Sequence, residues 1–497
     1  MNAANHHRLL ELGHGTKLPL AVVLDKPTPT ASRTGEPEDD SQEIIISNIL
    51  RLLPGKRLVG ITEWQGRSVV VKLFYHTRSW VRHLAREIAG FKLAESAELP
   101  VPQVLASGNL AKQQGGYLII EYLNSGRSLE GLLESHDSGL DRYVGNALQL
   151  IARCHEQGLW QNDIHLGNFM AVGDTMFLLD TAEFKAETPG TMLSDPLRLA
   201  NLSLFFAQFS VYRDSRIRML MKFYNETLSP GAGIDDNIDI VALTMQARHR
   251  RLDRYRNKLF RETTALHWER NANLRMLCKR SIMSEELSSF VKNPDAFLER
   301  GTVVKAGKTT TVGEVSIAGT KYVLKRYNIR NALHGIRKMI GTSRAARSWR
   351  AGLLLEMMGV STAKPMVILE KRICGFIRRE SYILYERVEG KTVPEVLGDP
   401  TLTIEVRDRI FASFKQCFEL MRRSKLSHGD LKASNFIFAN DELVLLDLDA
   451  ASIHFLPWTF KRAFRKDLER FLENFTRDSV MNELKPQAER LVNAFNG

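Results

Sequence analysis

Two short stretches decide the reading of this chain: QNDIHLGNFM (161–170) and SHGDLKASNFIF (427–438). Each contains an Asp, an Asn five residues later and then an aromatic, at Asp163, Asn168 and Phe169 and again at Asp430, Asn435 and Phe436. Twelve residues beyond each Asn stands an Asp that closes an apolar run, FLLD at Asp180 and VLLD at Asp447. A single D-x4-N says little, since Asp and Asn favour turns wherever they stand. Two three-point patterns with identical spacing point to a duplicated domain, with a period far too long for a solenoid.

Outward from these loops the same order of elements repeats about 260 residues apart. In the first half SVVVKLF (68–74) is rich in β-branched residues and reads as a buried strand. Residues 78–96 carry apolar side chains at helical spacing, 116–123 read as a strand and 143–159 as a helix ending near Gly158. In the second half 321–327 read as a strand, 343–360 as a helix, 381–388 as a strand and 407–423 as a helix. This predicts an α+β chain of two tandem domains, each a β-rich lobe over a helical one. The expected boundaries are a flexible leader over 1–42, a first domain over 43–262, a connector over 263–297 and a second domain over 298–497. Residues 246–261 hold seven Arg or Lys against one Asp and read as the last helix of the first domain or a docking helix.

The repeated residue types suit one chemistry. A loop carboxylate can accept a proton from a hydroxyl nucleophile. An amide oxygen and a second carboxylate are hard ligands suited to Mg²⁺. A lysine on a buried strand can hold phosphates if a glutamate pairs with it. Together these serve phosphoryl transfer, where positioning and charge neutralisation dominate.

HGDLKASN with LLDLD resembles the catalytic and metal loops of the protein-kinase-like superfamily. The resemblance implies Asp163 and Asp430 as catalytic bases, and Asn168, Asp180, Asn435 and Asp447 as metal ligands. It implies ATP-binding roles for the strand lysines Lys72 and Lys325, for Glu87 on the following helix, and for Glu121 and Glu386 in hinge-like strands. More narrowly, residues 69–108 and 319–370 resemble the bacterial lipopolysaccharide kinases: a lysine strand leads into a basic, Trp-containing helix, and a Pro-containing strand follows. Those enzymes phosphorylate heptose or 3-deoxy-manno-octulosonic acid (Kdo) of the inner core, which implies ATP and Mg²⁺ as cofactors and lipopolysaccharide core or another phosphorylated glycolipid as partner. The pattern departs from protein kinases in several places. Neither half has H-R-D: the first reads Gln161-Asn162-Asp163 and the second His428-Gly429-Asp430. Neither has the Gly of D-F-G, which argues for a sugar kinase. Ser348 stands where Glu87 stands in the first half, so Lys325 is expected to lack its carboxylate partner. The turns at 55–60 and 307–313 read as hairpins over ATP.

Composition agrees. The chain has 497 residues, 44% hydrophobic and 25% charged, which excludes a disordered or disulfide-stapled protein. The net charge of +12 favours an anionic partner. No zinc-finger spacing, aromatic RNA-binding signature or helix-turn-helix is present, so no nucleic acid is expected. The acid-free, basic segment 315–355 reads as a solvated face or a groove for a phosphorylated glycolipid or the anionic inner leaflet, and the amphipathic stretch 456–475 as a helix of the second helical lobe or one lying on a membrane. Four scattered cysteines and the lack of a secretory signal or membrane-spanning run predict a cytoplasmic protein. Two other readings fit the same residues: a soluble sugar or amine kinase, and a tandem pseudokinase scaffolding envelope assembly.

Overall fold

The computed structural model describes residues 18–25, 41–76, 78–111, 115–162, 164–263, 265–328, 342–373, 377–439, 442–454, 456–477 and 479–495. The chain divides into two compact units. One runs up to Gln208 and takes in Asp214–Arg248, and the other comprises Phe209–Arg213 and the chain from His249 onward.

In the first unit, β1 (Leu20–Asp25), β2 (Ser41–Leu53), β3 (Arg57–Trp64) and β4 (Arg67–Phe74) precede helix α1 (Trp80–Ser96), which is followed by β5 (Val104–Asn109) and β6 (Gly116–Glu121). They form a six-stranded sheet in the order β1-β2-β3-β4-β6-β5. Gln65 and Gly66 both take positive φ, the two-residue turn that matches strand twist, and so fix the register of β3 on β4. Lys72 is thereby paired between Val59 and Leu118. The buried stripe of α1, Leu84, Glu87, Gly90, Phe91 and Ala94, has helical period but contains a carboxylate.

The helical part of this unit holds α2 (Leu140–Glu156), the hairpin β7 (Phe169–Val172) and β8 (Thr175–Leu178), α3 (Asp195–Phe206), α4 (Ile217–Thr227) and α5 (Ile240–Arg256). The basic stretch at 246–261 is helical to Arg256, and the division between the units falls inside α5. Residues 1–42 are not wholly a leader. Leu20, Val22 and Leu24 are buried, and β1 pairs with β2 from Leu20–Ile46 to Asp25–Ser41. The alternation of LAVVLD is short enough to be overlooked beside the polar run at 26–40, which lies outside the described residues.

In the second unit β9 (Leu266–Arg270) and β10 (Leu274–Lys279) come first, then α6 (Glu285–Lys292) and α7 (Pro294–Arg300). Next come β11 (Thr302–Ala306), β12 (Thr310–Ile317), β13 (Thr320–Tyr327), α8 (Arg344–Met357), β14 (Pro365–Ile373) and β15 (Ile377–Glu386). The seven strands order as β9-β10-β14-β15-β13-β12-β11. Residues 263–297 are therefore not a bare connector but carry two strands and a helix of this unit. An Asn271 side-chain turn accepts Asn273 N at 2.9 Å, closing the β9–β10 hairpin, while Met276 and Cys278 are buried. Charged residues on the outward face hid the alternation.

Below the sheet lie α9 (Ile404–Ser424), the hairpin β16 (Phe436–Ala439) and β17 (Glu442–Leu445), α10 (Pro457–Leu472) and α11 (Lys485–Asn493). Phe414, Phe418, Phe436 and Phe471 stack edge to face with centroids 4.8–5.1 Å apart along the chain Phe436–Phe414–Phe471–Phe418. Each unit thus combines a β-rich part with a helical part. Cys154, Cys278 and Cys417 are buried and free, and Cys374 lies outside the described residues. Among the described residues no helix is long and apolar enough to cross a membrane.

Candidate active sites

The aromatic after each Asn seats the loop. Phe169 packs edge to face on Phe205 of α3 at 5.6 Å, and Phe436 does so on Phe414 of α9 at 5.1 Å. In both units the segment preceding the strand-end Asp is then stitched to the Asn backbone. Leu179 N donates to Asn168 O, and Leu446 N to Asn435 O, both at 2.8 Å.

In the first unit Lys72, only 8% exposed, is ion-paired with Glu87, 1% exposed, and also donates to Leu179 O at 3.3 Å. Arg57 stands 3.7 Å from the other Glu87 oxygen. An ammonium buried this deeply needs such a partner, and the carboxylate in the apolar stripe of α1 supplies it. Glu87, Asn168, Asp180, Arg57, Arg86 and His165 line one cleft of about 690 Å³. Asp180 Oδ1 accepts Ala182 N at 3.2 Å, which curls the loop after the strand. Asp163 lies outside the described residues. Glu121 is exposed and its carboxylate accepts Gln103 N at 3.3 Å, so it braces β5 on β6 rather than joining Lys72.

The second unit brings its residues together differently. Lys325 donates to Asp447 Oδ1 at 2.7 Å and to Asp449 Oδ2 at 3.0 Å. The expectation that Lys325 lacks a carboxylate is therefore corrected: the loop supplies what helix α8, with Ser348, does not. Asp447 takes left-handed backbone, φ +54°, uncommon outside glycine, and leads into one 3-10 turn, Leu448–Ala450, that returns Asp449 towards the lysine. Asn435 Nδ2 donates to Asp430 O at 2.8 Å, which joins the two ends of the D-x4-N loop. The Asp430 carboxylate accepts from Lys432 at 2.6 Å and Arg470 at 3.2 Å. Partial burial pushes its pKa up, but these two cations outweigh that and hold it below the usual carboxylate range. Glu386 is half-exposed with its carboxylate 3.9 Å from Lys364, apart from the Lys325 cluster.

Three site residues escaped the sequence reading. Asp449 is one. Asp467, on α10, accepts the N–H groups of His428 at 2.6 Å and Gly429 at 2.8 Å, clamping the loop that leads into Asp430. In the first unit Asn201 of α3 does related work, donating to Gln161 O at 2.6 Å and accepting from His155 Nε2 at 3.1 Å. The signal for both was a polar residue inside an apolar helical stripe: Phe460, Phe464, Asp467, Leu468 and Phe471, or Asn201, Leu202 and Phe205. His428, fully buried, reaches Leu446 O at 2.8 Å and ties the same loop to the strand before Asp447.

Asn168 with Asp180, and Asn435 with Asp447, offer the amide and carboxylate oxygens whose chemistry suits Mg²⁺. Among the described residues no group of three or more His, Cys, Asp or Glu side chains could hold a metal ion. Mg²⁺ needs none, since it binds through one or two protein oxygens together with substrate phosphates.

Residues 295–494 match the lipopolysaccharide kinase (Kdo/WaaP) family. Among solved structures, WaaP in complex with acyl carrier protein aligns with a TM-score of 0.30 and 15% identity over 41% of this chain and 88% of that one. The PknI kinase domain of Mycobacterium tuberculosis aligns with a TM-score of 0.27 and 12% identity over 41% of this chain and 96% of that one. No curated protein matches the sequence.

Proposed function

We propose that the chain is an ATP- and Mg²⁺-dependent phosphotransferase acting on a sugar hydroxyl, heptose or Kdo, of the lipopolysaccharide inner core. The observation that carries this reading is the second unit's constellation of Asp430, Asn435, Lys325 and Asp447 within the matched residues 295–494. Asp430 orients the acceptor hydroxyl and takes its proton as the bond to phosphorus forms. Its depressed pKa keeps it a carboxylate at neutral pH, so positioning precedes proton transfer. Lys325 holds the α- and β-phosphates. Asn435 and Asp447 hold Mg²⁺, which when bound neutralises charge on the β- and γ-phosphates.

The first unit is read as a second copy of the same domain. Lys72, Glu87, Asn168 and Asp180 take the same roles, with Asp163 as its base and the strands carrying Glu121 and Glu386 as hinges. On this reading the domains run over 43–262 and 298–497, with β1 added to the first and β9, β10 and α6 to the second.

The chain works at the cytoplasmic face of an anionic membrane. Lys461, Arg462, Arg465 and Lys466 are exposed on α10, and Trp458, 65% exposed, and Leu456 stand at its start. This combination of interfacial aromatic and basic residues supports peripheral contact. Binding to vesicles of anionic lipid, weakened by high salt and by Trp458→Ala with Arg462→Gln, is the expected result.

The deciding assay is ATP-dependent phosphate transfer to dephosphorylated lipopolysaccharide core by wild type, Asp163→Ala and Asp430→Ala proteins. Loss with Asp430→Ala alone makes the second unit the working one and the first a nucleotide-binding partner. Partial loss in each means two active sites. No transfer by the wild type, with ATP still bound, overturns the core-sugar assignment and favours a free small-molecule acceptor.

A further inference from the structure

The two lysine sites reach the same end by different routes. In the first unit the carboxylate beside the strand lysine comes from helix α1, at Glu87. In the second, α8 presents Ser348 at that place, fully buried. The charge facing Lys325 comes instead from Asp449, two residues past Asp447. Both Asp449 oxygens are occupied. Oδ1 accepts from Tyr327 at 2.5 Å and Ser348 at 2.6 Å, and Oδ2 from Arg344 at 2.7 Å and Lys325 at 3.0 Å. Four donors from β13 and α8 converge on one carboxylate that is 8% exposed. Such saturation makes Asp449 a poor metal ligand and a strong anchor. Asp447, with its side chain 44% exposed, is the more open of the two.

We propose that Asp449 is the positioning residue of the second unit, holding Lys325 from the loop in the role that a helix carboxylate plays for Lys72. This rests on the nucleotide-binding reading of Lys325. A consequence follows for how the site assembles. In the first unit the lysine's partner travels with α1, so a shift of that helix alone breaks the pair. In the second, Asp449 ties Lys325, the N-terminal turn of α8 through Arg344, and the middle of α8 through Ser348 to the loop that carries Asp447. Were Asp447 to turn from Lys325 to hold Mg²⁺, the Asp449 contact would still keep the lysine in place.

The test moves the carboxylate. In the full chain, Asp449→Ala removes it, Asp449→Asn keeps its shape, and Asp449→Ala with Ser348→Glu returns a carboxylate from the helix with the same number of side-chain heavy atoms. The first readout is acetylation of Lys325 by acetic anhydride without nucleotide, followed by mass spectrometry. The second is affinity for a fluorescent ATP analogue in a Lys72→Ala background, which confines binding to the second unit. Asp449→Asn and Asp449→Ala are expected to raise labelling of Lys325 and to weaken nucleotide binding roughly 10- to 100-fold, the size of a lost charge-assisted hydrogen bond. The double variant is expected to recover most of both. Should Asp449→Ala be poorly folded, Asp449→Asn with an unchanged melting profile decides the point. Labelling and affinity both unchanged in Asp449→Asn overturn the proposal, as does changed labelling with unchanged affinity. If the Lys72→Ala protein binds no nucleotide, the kinase reading of this unit fails, while the labelling separately shows whether Asp449 holds Lys325.

Discussion

Removing Asp467 tests whether the His428–Asp430 loop of the second unit, the proposed catalytic loop, is held by a single buried clamp. Its carboxylate, 1% exposed, accepts the backbone N–H groups of His428 and Gly429 at 2.6 and 2.8 Å. Asp467→Ala orphans both groups in an interior where each unmade bond costs about 1–3 kcal/mol, so the unit should lose about 2–6 kcal/mol. Against a total of about 5–15 kcal/mol for an ordinary domain, that is a large fraction. Asp467→Asn keeps the shape and one acceptor oxygen but turns an NH₂ group towards the second N–H.

The pH dependence is distinctive. Burial pushes the Asp467 pKa up, aided by the nearby Asp430 charge, and the two N–H bonds only partly offset it. The folded value therefore lies above the unfolded one, and ionising Asp467 costs stability as pH rises from the unfolded value through the folded value. The Asn variant does not titrate, so its deficit relative to wild type should be greatest in acid and shrink towards neutral pH. Hydrogen exchange of second-unit peptides in urea, from pH 4 to 8, measures this. Transfer activity should fall about 100-fold in both variants, mainly in kcat, because a displaced base misaligns the acceptor. Wild-type turnover in Asp467→Ala, or an Asn deficit that grows with pH, would refute the reasoning.

Glu87→Ala leaves Lys72 buried beside Arg57 without its carboxylate; a loss of about 3–5 kcal/mol is expected in first-unit exchange stability, together with weaker ATP-analogue binding in an Asp447→Ala background. Gly90→Ala puts a methyl 2.1 Å from Thr181 O, so α1 must move off the Asp180 loop; a cost of about 1–3 kcal/mol should appear in the same measurement. His155, fully buried between Tyr224 and Asn201, has its pKa lowered to about 4 by burial. It must stay neutral in the fold, so first-unit stability should fall by about 3 kcal/mol as pH drops from 6.5 to 4, a slope that His155→Gln should remove.

Much of the fold was legible along the chain because each unit repeats strong local patterns. The strands 68–74 and 321–327 and the helices 78–96, 143–159, 343–360 and 407–423 all appear, shifted by a few residues at their ends. What was missed is short or mixed. β1 sits behind a polar run, and β9 and β10 carry charges on their open face, so only pairing within the sheet reveals them. The Asp430–Asn435 contact was legible from fixed spacing, since D-x4-N is local in sequence. The lysine of each site could be matched to its loop only by analogy.

The partners that hold these groups were decided by tertiary structure. Glu87 and Ser348 occupy equivalent places in the order of elements, yet one pairs with its lysine and the other with Asp449. Nothing local distinguishes Asp449 from an exposed loop acid, because its four donors come from β13 and α8, 101 to 124 residues away in the chain. Asp467 likewise reads as one more charge on an amphipathic helix until α10 packs against the His428–Asp430 loop. The sequence by itself determined which residue types stand at the loops and strands, since those follow from spacing and hydrophobic period. Only the folded chain decided which buried charge answers which, because the cost of burying an ion is met by partners that packing brings from distant segments.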